Sequence, residues 1–317
     1  MQIFQSLFAS IIVLVIIAVI GILARRRGML DEAMAGTLSR VIFDFGIPAM
    51  IFVSLANMTI ELNRFEGPVI MMAVELCGMA LAWIAGRRFG LDLPQLGVVV
   101  LCTGFGTSAT LGYSIISIAF PNNPNAMEEA VLVSEIGVGL TIFTIGPLLA
   151  MHFGSGAISF QDLGRSLIAF AKTPICMALV SGLLWSVLGL PGEQHPLMQP
   201  VFRAGHILAG LVVPLSILII SLKLRKPRID HIIKPFGIVV ALKLLLCPLL
   251  AGILGIVFGL PEIWRVDLVI MAGLPPAVLN VILLQRYGGD ATLASAVTAG
   301  ASLLSLGTLL FVVAIAG

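Results

Sequence analysis

Residues Met271 to Asp290 read MAGLPPAVLNVILLQRYGGD. The flanks of this stretch are apolar enough to cross a membrane, yet it carries consecutive prolines, Pro275 and Pro276, with Asn280 just beyond. Proline lacks a backbone donor and clashes with the preceding turn, at a cost of about 3 kcal/mol in a helix interior. Hydrocarbon offers no water to the carbonyls so released. A double helix breaker at membrane depth therefore calls for a compensating role.

The surrounding chain is of the same kind. Of its 317 residues, 59% are hydrophobic and 11% charged, with a mean hydropathy of +1.12; soluble domains carry about 25% charged residues. The composition cannot cover a soluble core of this size and defines an all-α polytopic membrane protein. A β-barrel would alternate with period two in segments of about ten residues, whereas these apolar runs are longer and unbroken. The net charge of +2 is scattered through short loops and gives no footprint for nucleic acid. Cys77, Cys102, Cys176 and Cys247 all fall inside apolar runs without a CxxC pair, so they read as small hydrophobes, with no metal site and no cofactor expected.

A span needs roughly 20 apolar residues. Ten candidates occur, at 3–24, 34–57, 67–88, 95–119, 127–152, 167–190, 199–221, 232–260, 264–285 and 291–316, with the longest polar connection at about 153–166. The first has no basic residue before it and Arg25, Arg26 and Arg27 after it, the pattern of a retained span with its N-terminus outside and not of a cleaved signal peptide. Fourteen Lys and Arg residues, among them Arg87, Arg165, Lys226 and Arg286, fall on the side defined by the loops after spans 1, 3, 5, 7 and 9. Only Arg64, Arg203 and Arg265 fall on the other. This positive-inside asymmetry predicts both the span count and an outside location for both termini.

An odd five spans per half means that a duplicated half is inserted upside down, giving a 5+5 inverted repeat over 1–153 and 154–317. An offset of 166 residues aligns Pro48 with Pro214 and Gly86 with Gly252, and sets Thr110 opposite Pro276. The proline break in span 9 then has a counterpart in span 4, CTGFGTSATLGYS (Cys102–Ser114), interrupted by Gly104, Gly106, Thr107, Ser108 and Gly112. Paired interruptions in corresponding spans point to a transporter binding site. Half-helix N-termini at mid-membrane offer N–H groups with positive partial charge, which favours an anion. Gly104, Gly106, Thr107, Ser108, Gly112, Pro275, Pro276 and Asn280 are the candidate substrate-binding residues; the alternative is two kinked but continuous helices with packing glycines.

Ionisable residues within spans are the other candidates. Glu75 lies about eight residues, roughly 12 Å of helix rise, into span 3, and Glu135 at similar depth in span 5. Lys243 interrupts span 8 and Asp44 span 2. Carboxyl groups withdrawn from water favour their neutral form and a nearby cation opposes this. Glu75 and Glu135 are therefore candidate proton carriers with Lys243 as counter-charge; Lys243 snorkelling to the cytoplasm and Asp44 in a structural hydrogen bond are the alternatives. Glu128 and Glu129 read as a solvated helix start, His152, His195, His206 and His231 as interfacial, and Ala294, Thr298 and Ser302 as a packing face.

LPPAVLNVILLQRYGGDATLASAVTAGASLLSLGTLL, residues 274–310, resembles the C-terminal signature of the auxin efflux carrier family, whose bacterial members include organic-acid permeases. The ten-span plan and the Pro48 span fit the same family. The resemblance implies an inverted-repeat fold with crossed, broken helices 4 and 9, similar to bile-acid symporters. It also implies a scaffold of spans 1, 2, 6 and 7, often dimeric, beside a moving domain of spans 3–5 and 8–10. Family members usually have asparagine in the first crossover, where this chain has GFGTSATLG.

The expected function is a secondary, proton-coupled carrier of a small organic anion in a bacterial inner membrane, not an enzyme. No GxxxxGK[ST] loop is present, which argues against ATP drive. A sodium-coupled symporter is the nearest alternative and a receptor or channel a more distant one. An intramembrane hydrolase lacks a mid-membrane histidine to activate Ser108.

Overall fold

The computed structural model describes residues 19–58, 62–154, 160–223 and 232–316, together with Ile12, Val13, Ile16 and Ile17. Most of span 1 before residue 19, and Arg225, Lys226, Arg228 and His231, lie outside the described residues. After a helical stretch over 19–26, the helices are α1 (Glu32–Val41), α2 (Ile47–Ala56), α3 (Glu66–Arg88), α4 (Leu93–Gly104), α5 (Tyr113–Ala119), α6 (Pro124–Leu132), α7 (Leu140–Phe153) and α8 (Phe160–Ala171). They continue as α9 (Pro174–Val187), α10 (Gln199–Ala209), α11 (Val212–Lys223), α12 (Ile233–Val239), α13 (Cys247–Val257), α14 (Glu262–Ala272), α15 (Val278–Arg286) and α16 (Ala291–Ala316).

The fold is all-helical, and among the described residues five continuous helical runs are long and apolar enough to cross a membrane: Met34–Ala56, Glu66–Arg88, Pro124–Phe153, Gln199–Ile219 and Ile233–Val257. Where spans 4 and 9 are expected, the helix is in two pieces, α4 and a second piece from Ser108 to Ala119, and α14 and α15. Span 6 also differs from expectation. A helix already begins at Phe160, inside the predicted polar connection, and a new one starts at Pro174 with the Thr173 hydroxyl accepting from the Cys176 N–H. Proline fits the first turn of a helix because its missing N–H has no partner there anyway, so Thr173–Pro174 starts a helix where the apolar pattern alone ran through.

Three runs widen to π-helix without breaking, at Ile42–Gly46, Val133–Gly139 and Val240–Leu246. Each closes with an N–H bonded five residues back: Ile47 to Ile42, Leu140 to Glu135 and Cys247 to Leu242. Two of them end two residues before a proline, Pro48 and Pro248. Proline removes the i→i−4 donor, and a π turn re-registers the carbonyls around the gap. The three runs contain Asp44, Glu135 and Lys243, the polar interruptions singled out in the sequence.

The chain divides into two compact units. One comprises Met1–Arg64, Ala109–Val131 and Phe170–Leu224. Its aromatic cluster sets Phe52 edge-on to Trp185 at 5.6 Å and stacked on Phe202 at 6.0 Å. A Cβ at Gly182 would stand 3.0 Å from the Leu55 side chain, so α9 lies close against α2 through a small residue, a common packing device of membrane helices. Glu128 and Glu129 are not a solvated helix start. Both are buried, and Arg64 donates to Glu128 at 2.6 Å, which compensates a charge the local sequence left bare.

The other unit comprises Phe65–Ser108, Leu132–Ala169 and Arg225–Gly317. Val98–Gly104 of α4 and Val266–Ala272 of α14 are buried all round, as expected of helices at the centre of a bundle. On α16, Ala294 and Thr298 are buried and Ser302 is half-buried, the face expected to pack. Of the cysteines, Cys102 and Cys247 are buried as expected, while Cys77 is exposed and Cys176 intermediate.

Candidate functional site

The site begins at two gaps in helix. α4 starts with a capping box between Asp92 and Gln95 and runs to Gly104, after which Phe105 turns extended (φ −103°, ψ 120°). α14 ends at Ala272, and the chain stays non-helical until Ala277 (φ −69°, ψ 141°) opens α15. The extended segments pair as an antiparallel bridge centred on Gly106 and Pro276. The Thr107 N–H donates to the Pro275 carbonyl and the Ala277 N–H to the Phe105 carbonyl, both at 2.9 Å. In such a pair the central residues are not hydrogen-bonded to each other. Pro276 therefore sits where no N–H is required, and Pro275 contributes its carbonyl. This is the compensation the double proline calls for: each break supplies the other's backbone partners.

Side chains reinforce the bridge. The Thr107 hydroxyl lies 3.1 Å from the Pro275 carbonyl and 3.0 Å from that of Pro276, to which it donates. Asn280 is fully buried, and its Nδ2 donates to the Phe105 carbonyl at 3.0 Å. Both side chains, candidate substrate contacts in the sequence, hydrogen-bond the paired backbone. Asn280 Oδ1 has no hydrogen-bond partner among the described residues. The Asn280 N–H bonds the Ala277 carbonyl, whereas Val278 and Leu279 begin α15 with no side-chain cap. First-turn N–H groups have no intrahelical acceptor, so these two are the donors α15 presents at the break.

Three further polar groups adjoin the pair. Lys243 is 1% exposed, and its Nζ donates to the Gly104 carbonyl at 3.1 Å. A Cβ on Gly106 would stand 3.3 Å from that same nitrogen, so the ammonium lies against the break itself and a side chain there would have to displace it by a few tenths of an ångström. Glu75, also 1% exposed, has no hydrogen-bond partner among the described residues on either carboxylate oxygen and lies within electrostatic reach of Lys243. The Ser134 hydroxyl is 2.9 Å from Ser108 Oγ and 3.1 Å from Glu135 Oε1, forming a buried chain from Glu135 to the residue that starts the second piece of span 4.

Gly104, Gly106, Thr107, Ser108, Pro275, Pro276, Asn280, Glu75, Glu135 and Lys243 thus all fall in one unit. Asp44 and Gly112 belong to the other, where Asp44 is exposed and Gly112 closes the π stretch after Ser108. Sequence reasoning missed Ser134, Thr103 and Phe105. Ser134 adjoins a flagged glutamate and could have been found. Phe105 contributes only its carbonyl, which carries no signal of residue type.

This geometry defines a multi-pass helical membrane protein with two broken helices paired around buried charge. A family model described as "Membrane transport protein" matches residues 6–158. The chain is 26% identical over 310 residues to an "Uncharacterized transporter" of Methanothermobacter thermautotrophicus, covering 96% of this chain and 97% of that one. It is 24% identical over 295 residues to "Uncharacterized transporter YfdV" of Escherichia coli, covering 90% and 91%. A third relative, "Uncharacterized transporter MJ1031" of Methanocaldococcus jannaschii, is 22% identical over 287 residues, covering 88% and 89%. The chain is similar to transporters along nearly its whole length, and the resemblance to the auxin efflux carrier family is borne out.

Proposed function

We propose that the protein is a secondary carrier of a small organic anion such as a carboxylate, working by elevator-type alternating access. In this reading it has ten spans in two inverted halves, with helices 4 and 9 broken and crossing. The observation that carries the proposal is the pairing of Gly106 with Pro276, which leaves α15 to start without a side-chain cap, with the buried Lys243 ammonium against Gly106 on the other break. An anion at that point meets the Val278 and Leu279 N–H groups and the positive end of a helix dipole. Gly104, Gly106 and the prolines hold the backbone open, while Thr107, Ser108 and Asn280 frame the opening; Gly112 is proposed with them from its place in the break of span 4 alone.

Protons are the proposed coupling ion, carried by Glu75 and Glu135 with Lys243 as counter-charge; Asp44 is the weakest member of this set because it is exposed. Spans 3–5 and 8–10 form the moving domain and spans 1, 2, 6 and 7 a scaffold that pairs with a second copy. The division of the chain favours this in part: the unit holding the site also holds α3, α4, α7 and α12–α16, whereas α5 and most of α6 group with the helices of spans 1, 2 and 7. The protein sits in a bacterial inner membrane with both termini outside. The test is uptake of labelled mono- and dicarboxylates into proteoliposomes under imposed proton or sodium gradients. Uptake driven by a proton gradient alone is expected; no accumulation of any carboxylate under either gradient rejects the carrier reading.

A further inference from the structure

We infer that Ser134 is a positioning residue for proton coupling: its hydroxyl turns the charge state of Glu135 into the hydrogen-bond polarity of Ser108 at the break in span 4. A proton on Glu135 makes Ser108 a donor to the anion, and an ionised Glu135 takes that donor away. The inference rests on the carrier reading and deepens it.

Three oxygens form a chain. Ser134 Oγ is 2.9 Å from Ser108 Oγ and 3.1 Å from Glu135 Oε1. Ser134 is 2% exposed and Ser108 and Glu135 are 5% exposed each, so the chain runs through protein and not through bulk water. Neighbouring residues of a helix do not face each other, yet the Ser134 and Glu135 side chains meet. They do so inside the π stretch Val133–Gly139, a local widening that recurs at functional sites. Ser108 directly follows Thr107 of the bridge and opens the second piece of span 4. Among the described residues its hydroxyl bonds Ser134 alone, which leaves it a further donor or acceptor role.

A hydroxyl has a single proton, and that of Ser134 faces two acceptors. An ionised carboxylate can only accept, so the Ser134 proton then goes to Glu135 Oε1. The contact between the serines holds in that state only if Ser108 donates to Ser134, which leaves Ser108 lone pairs for the break. When Oε1 carries a proton, the carboxyl group donates to Ser134 and Ser134 donates to Ser108. The Ser108 proton is released to the break, where an anion accepts it. One proton taken up at Glu135 thus becomes one donor at the site, and by linkage the bound anion favours that proton in return. α3 and α14 pack against the π stretch and α7 continues it. Of their charged and titratable groups, Glu75 and Asp267 are buried and Arg265 half-buried, whereas Glu66, Arg87, Arg88, Glu262 and His152 are exposed. The field of Glu135 or of these groups acts on an anion without the Ser134 hydroxyl, so removing that hydroxyl separates the relay from plain charge.

The experiment measures the affinity of the purified full-length protein for acetate and succinate by calorimetry, at mildly acidic and at alkaline pH. The wild type should bind more tightly at acidic pH. Glu135→Gln, whose amide supplies a donor without a charge, should raise the affinity at alkaline pH about 10- to 100-fold, the worth of one hydrogen bond to a charged ligand. Ser134→Ala releases Ser108 from its acceptor, so it too should bind more tightly than the wild type at alkaline pH. Adding Glu135→Gln to Ser134→Ala should change the affinity by no more than about twofold, as for a pair whose connection is already cut. If Glu135→Gln does not fold, Ser108→Ala decides: in the wild type it should weaken binding at acidic pH alone, and on top of Ser134→Ala at both. A wild-type affinity independent of pH, an equal effect of Glu135→Gln with and without Ser134→Ala, or weaker binding by Ser134→Ala at alkaline pH each overturns the inference. Any of these with carboxylate uptake retained leaves the carrier reading standing. A wild type that binds neither probe rejects the inference, and the carrier reading falls with it only if no carboxylate accumulates.

Discussion

The Asn280 amide donates to the Phe105 carbonyl at 3.0 Å, and the same oxygen accepts the Ala277 N–H at 2.9 Å. One carbonyl of the first break therefore holds both the entry to α15 and a side chain in its first turn. Asn280→Ala should lower the melting temperature modestly, as expected for one hydrogen bond worth about 0.5–1.5 kcal/mol. Asn280→Asp should be worse, since it sets a carboxylate against the Phe105 carbonyl and beside an anionic substrate. Carboxylate uptake that is equal in the two variants would show that no anion binds beside this residue.

The position of each proline within the bridge makes a sharper prediction. Pro276 occupies the pair that is not hydrogen-bonded, whereas the Ala277 N–H is a required donor. Pro276→Ala should leave both bridge bonds in place and reduce uptake mildly. Ala277→Pro removes the donor to Phe105 and should abolish uptake and destabilise the fold, as loss of a partner leaves a buried carbonyl with one donor fewer. The ordering of the two variants in a parallel uptake and melting assay is the check.

Proton coupling should separate from substrate movement. With Glu75→Gln, uptake driven by a proton gradient should fall far more than exchange of labelled for unlabelled carboxylate, because exchange needs no net proton transfer. Ser134→Ala should act on the other carboxylate. Cutting the hydroxyl that links Glu135 to Ser108 should shift the pH profile of uptake while leaving Glu75-dependent coupling intact. Full pH-dependent uptake in Glu75→Gln and Glu135→Gln alike would make both groups structural.

The Arg64–Glu128 ion pair gives a stability test within the other compact unit. The partners meet at 2.6 Å with side chains 12% and 8% exposed. Arg64→Ala leaves a buried carboxylate without its charge partner, a change that costs about 3–5 kcal/mol in comparable buried pairs. Arg64→Ala with Glu128→Gln should recover much of that loss in the melting assay.

Topology follows from the charge bias of the loops. In a background otherwise free of accessible cysteine, Lys226→Cys should react with an impermeant thiol reagent only from the cytoplasmic side and Arg203→Cys only from outside. Labelling of both from one side would remove a span between them and collapse the fourteen-to-three split.

The membrane class and the two paired breaks were legible in the chain, because hydropathy over some twenty residues and the missing proline N–H act locally; the helix boundary at Thr173–Pro174 was not. Pro275–Pro276 and Gly104–Gly106 marked the two gaps, and Glu75, Glu135 and Lys243 stood out as charges where charge is costly. What the gaps do to each other was not legible. Phe105 and Asn280 are 175 residues apart, and Lys243 and Gly104 are 139 apart. The groups that join them are mostly backbone carbonyls, which every residue type possesses. The same limit made Glu128 read as solvated, since its partner Arg64 lies 64 residues away. It also hid the π turns at Asp44, Glu135 and Lys243, which arise from re-registered backbone bonds. Local composition determined where this chain leaves the helix; only the tertiary pairing decided which donor meets each carbonyl left behind, because that depends on the three-dimensional approach of segments that the sequence keeps far apart.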